Sequence, residues 1–145
     1  MSVDVERILL EIETLPKTPQ ICLQGVKPFD DPLYGIGKVL DLKHNENEFV
    51  HPNFNIPYTN SILNAHNMFR SRLMRLKPKH CYTYHFDPSK RLHIPLLTNE
   101  KCMFIIEDEV FRYPADGNVY LIDTTKMHTA INASTEERIH IVGCV

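Results

Sequence analysis

The stretch CYTYHFDPSKRLHIPLL, residues 81–97, decides the fold class of this chain. It holds two short runs rich in aromatic and aliphatic residues, with Pro-Ser-Lys between them, which is typical of two strands joined by a turn. Eight such runs follow Arg70, at residues 70–76, 81–87, 91–97, 101–109, 109–114, 118–125, 127–133 and 138–145. Short runs at near-regular spacing predict an antiparallel sandwich or barrel, and eight match a jelly roll, also called a double-stranded β-helix. We therefore predict an all-β core.

The N-terminal part of the chain is predicted to be different in character. Apolar residues at helical spacing predict an amphipathic helix over residues 3–15, which Pro16 ends, and residues 20–26 read as a strand. Residues 27–58 are rich in Pro, Asn and Asp around one apolar run, GKVLDL, and predict an irregular cover. Thr59 can cap a second, short helix. We expect one domain over residues 1–145, with residues 1–57 as helix and cover and residues 58–145 as the jelly-roll core.

Composition excludes several classes of protein. A formal net charge of −2 argues against a general nucleic-acid binder, and no apolar run is long enough to cross a bilayer. The N-terminus carries acids where a secretory signal needs bases. The four cysteines are far apart and form no CxxC pair, so we expect reduced thiols and a cytoplasmic protein. The sequence does not indicate an oligomeric state.

The first candidate site is His85-Phe86-Asp87. Residues two apart on a strand share a face, so the imidazole and the carboxylate would point to the same side. They are two of the three ligands of a facial triad for non-haem Fe(II). A chain with eight histidines produces such a pair by chance often enough that an ordinary surface turn before Pro88 stays an open alternative.

The second candidate is His128, at the start of the seventh run. A third ligand has to come from a distant strand, and the second and seventh core strands of a jelly roll are neighbours. These are the strands to which His85 and His128 are assigned. The alternative is a half-buried histidine near a strand start, which is common for this residue.

The third candidate is Arg138, at the start of the last run. If residues 128–133 and 138–143 pair as neighbouring strands, Arg138 lies close to His128 inside the barrel mouth. Its guanidinium suits a carboxylate held by two parallel hydrogen bonds, as on a dicarboxylic cosubstrate. The alternative is a surface arginine paired with Glu136 or Glu137.

Arg91 and His93 share one face of the third run, and both are interpreted as inward donors to carboxylate oxygens. The alternative is that they bond each other's backbone at a sheet edge, since Pro95 indicates an edge or a bulge. His140 faces the same way as Arg138, and we expect it to serve core packing.

Together these motifs resemble the aspartyl/asparaginyl β-hydroxylase family, over roughly residues 58–143. The matching pieces are R-x-R-L-x-x-L (70–76), H-x-D (85–87), R-x-H-I-P-L-x-T-N (91–99), D-x-x-x-x-H (123–128), N-x-S (132–134) and R-I-H (138–140). With its proline-hydroxylating relatives, that family belongs to the Fe(II)- and 2-oxoglutarate-dependent oxygenases. Lys79 departs from the pattern, because a glycine usually follows the proline of that turn, and a looser turn could absorb the change. Asp87 is kept here, although some members lack the carboxylate ligand. Residues 1–57 show no resemblance, and we expect them to influence substrate choice.

The resemblance implies a catalytic site and its cofactors. His85, Asp87 and His128 would bind iron, Arg138 would hold the far carboxylate of 2-oxoglutarate, and Arg91 and His93 would make further cosubstrate contacts. The implied reaction uses O₂, releases succinate and CO₂, and hydroxylates an unactivated C–H of an amino acid or of a peptidyl Asp, Asn or Pro-type residue.

Two other functions stay open at the level of sequence. A cupin-like metal enzyme that does not use 2-oxoglutarate would have no need of Arg138. A non-enzymatic jelly-roll binding or virion protein would hold no stoichiometric iron.

Overall fold

The computed structural model describes residues 2–38 and 43–145, so Val39–Leu42 of the predicted GKVLDL run lie outside the described residues. Within these ranges the elements are α1 (Val5–Ile12), β1 (Gln20–Cys22), β2 (Gln24–Gly25), a 3₁₀ helix (Glu46–Glu48), β3 (His51–Pro52), α2 (Pro57–Ala65), β4 (Phe69–Leu76), β5 (His80–Cys81), β6 (Arg91–Leu97), β7 (Cys102–Ile106), β8 (Glu109–Phe111), β9 (Tyr120–Ile122), β10 (His128–Asn132) and β11 (Arg138–Cys144).

The strands form two main antiparallel sheets. One has five strands in the order β1-β4-β11-β6-β9, and the other has four in the order β5-β10-β7-β8. β2 and β3 make a separate small ribbon. Side chains of both main sheets meet in an apolar cluster of Leu76, Phe104, Ile122 and Ala130, so the sheets face each other. This is the predicted all-β jelly roll with two N-terminal helices.

The five-stranded sheet is covered on both faces. Every residue of its central strand, β11, is buried. On one face, Ile139 and Ile141 pack against the helices through Ile8, Ile12 and Leu63, in the larger of the two apolar clusters. On the other face the alternate residues of β11 point into the roll, because successive side chains of a strand take opposite sides. The main apolar core therefore lies outside the roll, between sheet and helices.

The N-terminal segment is joined to the roll. β1 pairs with β4 in register Ile21↔Leu73 and is an edge strand of the five-stranded sheet. The single strand predicted over residues 20–26 is divided at Leu23, because β2 turns away to pair with β3. The predicted helix over residues 3–15 is confirmed with shorter bounds, and Leu15 is still buried beyond its end.

The predicted cap of the second helix is wrong. α2 begins at Pro57, which suits the first position of a helix, and Thr59 lies inside the first turn. The acceptor comes from α1 instead: the Glu11 carboxylate accepts hydrogen bonds from the backbone N–H of Tyr58 at 3.0 Å and of Thr59 at 2.7 Å. A cap supplied by another helix leaves no local signal in the sequence.

Two strand assignments also need correction. Of the predicted strand 81–87, only Cys81 lies in a regular strand, β5, and the chain then crosses between the sheets with a single bridge at His85. Strands 128–133 and 138–143 do not pair: β10 pairs with β5 and β7, whereas β11 pairs with β4 and β6. The intervening segment is an arch between sheets, tied by Asn132, whose side-chain amide donates to the carbonyls of Leu76 and Glu136.

The turn before β5 keeps a conformation that favours glycine. Lys79 has a φ of 61°, in the left-handed region. The turn is therefore not loosened by the lysine. The Lys79 ammonium also donates to the carbonyl of Ala133 at 2.8 Å.

We expect Glu11→Ala to lower the free energy of unfolding by about 1–2 kcal/mol, because two N–H groups at the start of α2 lose their acceptor. Burial works to raise the pKa of Glu11, but the hydrogen bonds from Thr59 and Tyr58 outweigh it and hold the pKa below its ordinary 4.5. The contribution is therefore present above that value and is lost as the pH falls through the folded-state pKa. Urea unfolding at about pH 7 and about pH 3 measures both effects.

Glu13→Ala is the matched control, since Glu13 is exposed just after α1. Equal losses in the two variants, or a Glu11→Ala loss that persists in acid, would contradict the capping role.

Candidate metal centre

Three of the predicted site residues come together at one point of the roll. The backbones of His85 and His128 form an antiparallel bridge, with N–H to carbonyl distances of 3.0 and 2.7 Å. Their rings lie 4.5 Å apart between centroids. The backbone N–H of Asp87 donates to the carbonyl of Thr124 at 2.8 Å, which fixes the third residue against the segment before β10. The second and seventh predicted runs are thus neighbours at this point, as expected from the sequence.

The ligand atoms of this group converge. Asp87 lies between the two imidazoles, with Oδ1 at 3.6 Å from Nε2 of His85 and Oδ2 at 3.6 Å from Nε2 of His128. One ligand atom from each residue lies within 4.8 Å of the others. Metal–ligand bonds of roughly 2.0–2.2 Å are compatible with this span after small side-chain rotations. His128 is buried, while the other two are partly open to solvent.

Backbone carbonyls orient both imidazoles. Nδ1 of His85 lies 2.6 Å from the carbonyl of Thr83, and Nδ1 of His128 lies 2.8 Å from the carbonyl of Lys126. Because a carbonyl only accepts, each Nδ1 carries a proton, and in the neutral ring this leaves the lone pair on Nε2, the nitrogen that faces Asp87. This second contact is the one that metal-ligating histidines make. Two neutral imidazoles and a carboxylate are the donor set of a non-haem Fe(II) site.

Arg91 lies beside this group, at the start of β6. Its Nε is 4.0 Å from Oδ2 of Asp87, Nη1 donates to Oγ of Ser89 at 2.5 Å, and Nη2 donates to Oε2 of Glu46 at 3.0 Å. The guanidinium therefore lies between two carboxylates. β6 is paired on both sides, so the edge alternative does not hold, and Pro95 lies at a register shift against β11.

His93 and His140 form a buried pair inside the roll. Their Nδ1 atoms are 3.1 Å apart, and the His93 ring stands edge-on to Phe104. Burial, and after it the charge of Arg138, lowers the pKa of each well below its ordinary value, so both are neutral at physiological pH. The charges of Arg72, His128 and Arg91 also act to lower the pKa of His93. The sequence predicted that His140 would serve core packing alone. In the structure its ring also forms a hydrogen bond with the ring of His93.

Arg138 points into the roll rather than to the surface. It is 2% exposed and lies between the rings of Tyr82 and Phe104, with its guanidinium carbon 5.8 and 5.7 Å from their centroids. Burial lowers the pKa of Arg138. The surface alternative does not hold, since Glu137 pairs with Arg75 instead, at 2.6 Å. Because β10 and β11 belong to opposite sheets, Arg138 reaches the interior from the sheet that faces His128.

Several polar atoms around Arg138 lack a well-formed hydrogen bond, although the Tyr82 hydroxyl is close enough to act to raise the pKa of Arg138. Among the described residues, its Nε and Nη1 and the hydroxyl of Tyr82 are buried without a hydrogen bond. Leaving such groups unpaired is costly, particularly on a charged side chain. A cavity of about 10 Å³, room for about one water molecule, is lined in part by Arg138, His140 and Tyr113. Free guanidinium donors of this kind suit an anionic partner.

Sequence reasoning missed Glu46, Arg70 and Arg72. Glu46 lies in the irregular cover and reaches Arg70 and Arg91. The two arginines are inward residues of the R-x-R motif, whose fully buried character was not foreseen. Alternation along β4 could have identified the arginines, but the cover holds no signal that singles out Glu46.

A jelly roll that brings together a His-Asp-His cluster is typical of metal-dependent enzymes. Within that class, the sequence model of the aspartyl/asparaginyl beta-hydroxylase family matches residues 11–143. The chain belongs to this family. The match includes most of the N-terminal segment, for which the motifs showed no resemblance.

Several solved structures are similar in fold. A cupin domain from Bordetella pertussis is 16% identical with a TM-score of 0.45, over 51% of this chain and 77% of that one. A predicted oxalate decarboxylase from Thermotoga maritima is 17% identical with a TM-score of 0.42, over 57% and 72%. A protein from Photorhabdus luminescens is 20% identical with a TM-score of 0.43, over 52% of this chain and 61% of that one, which is less than two thirds of its length. The likeness concerns the fold alone.

Neither described helix is long and apolar enough to cross a membrane. No disulfide joins any of the four cysteines, all of which lie in the described part of the chain, and Cys81 is the exposed one.

We expect His128→Ala to lose stoichiometric binding of a divalent metal, since a buried ligand is removed while its backbone bridge to His85 can persist. Metal analysis of the purified protein, together with Mn(II) titration by calorimetry, measures this. His80→Ala, an exposed histidine on the neighbouring strand β5, should bind metal as the wild type does. Retention of full metal binding by His128→Ala would exclude this cluster as the site.

Proposed function

We propose that the protein is an Fe(II)- and 2-oxoglutarate-dependent dioxygenase that hydroxylates an unactivated C–H of an amino acid or of a peptidyl Asp, Asn or Pro-type residue. One observation carries the proposal: a buried arginine with unpaired donors lies in the same roll as a His-Asp-His cluster. The cluster suits iron, and the arginine suits a second, anionic ligand.

His85, Asp87 and His128 would hold the metal. Two imidazoles and one carboxylate leave further coordination positions open, which is how non-haem Fe(II) oxygenases admit their cosubstrates. When bound, iron with 2-oxoglutarate and O₂ supplies the oxidising chemistry, and the cosubstrate leaves as succinate and CO₂. The part of this chain is to fix the ring orientations that aim both Nε2 atoms at one point, through the carbonyls of Thr83 and Lys126.

Arg138 would receive the far carboxylate of 2-oxoglutarate. Its Nε and Nη1 have no well-formed protein partner and face different edges of the guanidinium, so each can donate one charge-assisted hydrogen bond, with the Tyr82 hydroxyl beside them. Bonds to a charged partner in a site shielded from water are stronger than the same bonds in solvent. His93, buried in the roll and neutral, would line the cosubstrate without adding charge.

The contacts of Arg91 support a place in the site, but they differ from the cosubstrate contact that the sequence led us to expect. Its donors face Glu46, Ser89 and Asp87. We therefore propose that the main role of Arg91 is to flank the carboxylate of Asp87. A contact with 2-oxoglutarate would be a secondary role.

The substrate is proposed to be a small molecule or a peptide, with no nucleic acid or membrane involved. Screening free amino acids and short peptides for succinate release identifies it. Cytoplasmic location stays a prediction.

Anaerobic titration of the apo-protein with Fe(II) and then with 2-oxoglutarate tests the proposal. We expect a visible metal-to-ligand charge-transfer band on addition of the second ligand, and its absence in His128→Ala. Metal binding without the band would favour a cupin-like metal enzyme that does not use 2-oxoglutarate. No metal binding by the folded protein would favour a non-enzymatic binding protein.

We expect Arg138→Met to weaken 2-oxoglutarate binding at least tenfold, because charge-assisted hydrogen bonds contribute about 1.5–3 kcal/mol each. The apo-protein should melt at the same temperature as the wild type or higher, because the change removes a buried charge without a partner and keeps the volume filled. Calorimetric titration of the Mn(II)-loaded protein and a thermal melt of the apo-protein measure the two effects.

Arg75→Met is the matched control, on the neighbouring strand β4 but with a carboxylate partner, Glu137. It should leave 2-oxoglutarate binding unchanged. A normal affinity in Arg138→Met would remove Arg138 from the cosubstrate site.

A further inference from the structure

A carboxylate from the cover reaches the five-stranded sheet close to the metal cluster. Glu46 belongs to the 3₁₀ helix Glu46–Glu48, far from the strands in sequence. Its Oε2 accepts hydrogen bonds from Nη1 of Arg70 at 2.9 Å, Nη2 of Arg91 at 3.0 Å and Sγ of Cys144 at 3.1 Å. These partners come from β4, β6 and β11, so one side chain ties the cover to three strands of the large sheet.

The region around Glu46 holds more positive charge than negative charge. Three buried guanidiniums cluster there, those of Arg70, Arg72 and Arg91. Arg70 is otherwise bonded to the carbonyls of Gly35 and Gly37, and Arg72 donates to the neutral side-chain oxygen of Gln20 at 2.8 Å. Burial, followed by the charge of Arg70, lowers the pKa of Arg72 to about 10.

Glu46 stays charged in this setting. Burial works to raise its pKa, but the Cys144 hydrogen bond and the charges of Arg91 and Arg70 outweigh it, and the pKa is lowered. The only other carboxylate that faces Arg91 within 4 Å, among the described residues, is that of Asp87. Arg91 is therefore shared between the cover and the metal cluster.

We propose that Glu46 is a positioning residue for the metal centre: it holds and neutralises Arg91, which leaves the Asp87 carboxylate free to bind a divalent metal. The inference rests on the proposed function, since it needs Asp87 to be a metal ligand. Without the charge of Glu46, the Arg91 guanidinium has Asp87 as its remaining carboxylate and competes with the metal for it. The local charge also becomes more positive, which opposes a dication and favours a dianion.

Glu46→Gln tests this with a side chain of the same shape that keeps an acceptor oxygen and loses the charge. We expect the Kd for Mn(II), measured by calorimetry, to rise about tenfold, as a charge removed within several ångströms of a dication can produce at an intermediate effective dielectric. The Kd for 2-oxoglutarate, measured at saturating Mn(II), should be unchanged or lower. Glu48→Gln is the matched control, because Glu48 is exposed in the same 3₁₀ helix and accepts from the backbone N–H of Asn45. It should bind both ligands as the wild type does.

The two titrations separate a charge effect from simple loosening of the site. Weaker binding of both Mn(II) and 2-oxoglutarate would show a structural role and overturn the proposal, as would a wild-type Kd for Mn(II). Should Glu46→Gln fail to fold, Glu46→Asp keeps the charge on a shorter side chain: binding of Mn(II) within about threefold of wild type supports the proposal, and a larger loss overturns it.

The Mn(II) titrations also distinguish a failure of the proposed function from a failure of this inference. A folded wild-type protein that does not bind Mn(II) would overturn the metal site and this inference together. Mn(II) binding by the wild type with no effect of Glu46→Gln would overturn this inference alone.

Discussion

The antiparallel pairing of β11 with β4 on one side and β6 on the other is the constraint on which the site depends. This pairing sets Arg138 opposite Leu76 and places Val142 opposite His93. Because strand side chains alternate, one register decides which residues of three strands face the helices and which face the interior. A slip by one residue would turn the buried isoleucines into the roll and the arginines into the apolar cluster beneath α1 and α2.

The interior of the roll holds many polar and charged side chains and contributes less apolar burial to stability than the layer beneath the helices. The larger apolar cluster lies outside the roll, between the five-stranded sheet and the helices, whereas the cluster between the sheets is small. The remaining interior holds arginines and neutral histidines, whose burial is unfavourable without partners. The helices and the cover are thus part of the functional design, because their apolar contacts stabilise a sheet whose inner face does not.

Two kinds of support hold the metal cluster. Backbone carbonyls at Thr83 and Lys126 fix the tautomers of His85 and His128, and these contacts are local. The Asp87 carboxylate faces the guanidinium of Arg91, and that guanidinium is bound by the Glu46 carboxylate from the cover. The first kind of support follows from two short segments, while the second requires most of the chain to be folded.

The sequence by itself determined the class of fold, the family and the candidate ligands. Turn residues between short β-rich runs are local signals, and the H-x-D spacing puts two ligands on one face of any extended segment. It could not determine that residues 81–87 cross between sheets, that β10 and β11 lie in opposite sheets, or that Glu11 caps α2. Nor could it single out Glu46 from the acids of the cover. Only the tertiary structure decided these points, because each depends on which distant segments share a sheet, and the free energy of that choice comes from burial and pairing across the whole domain.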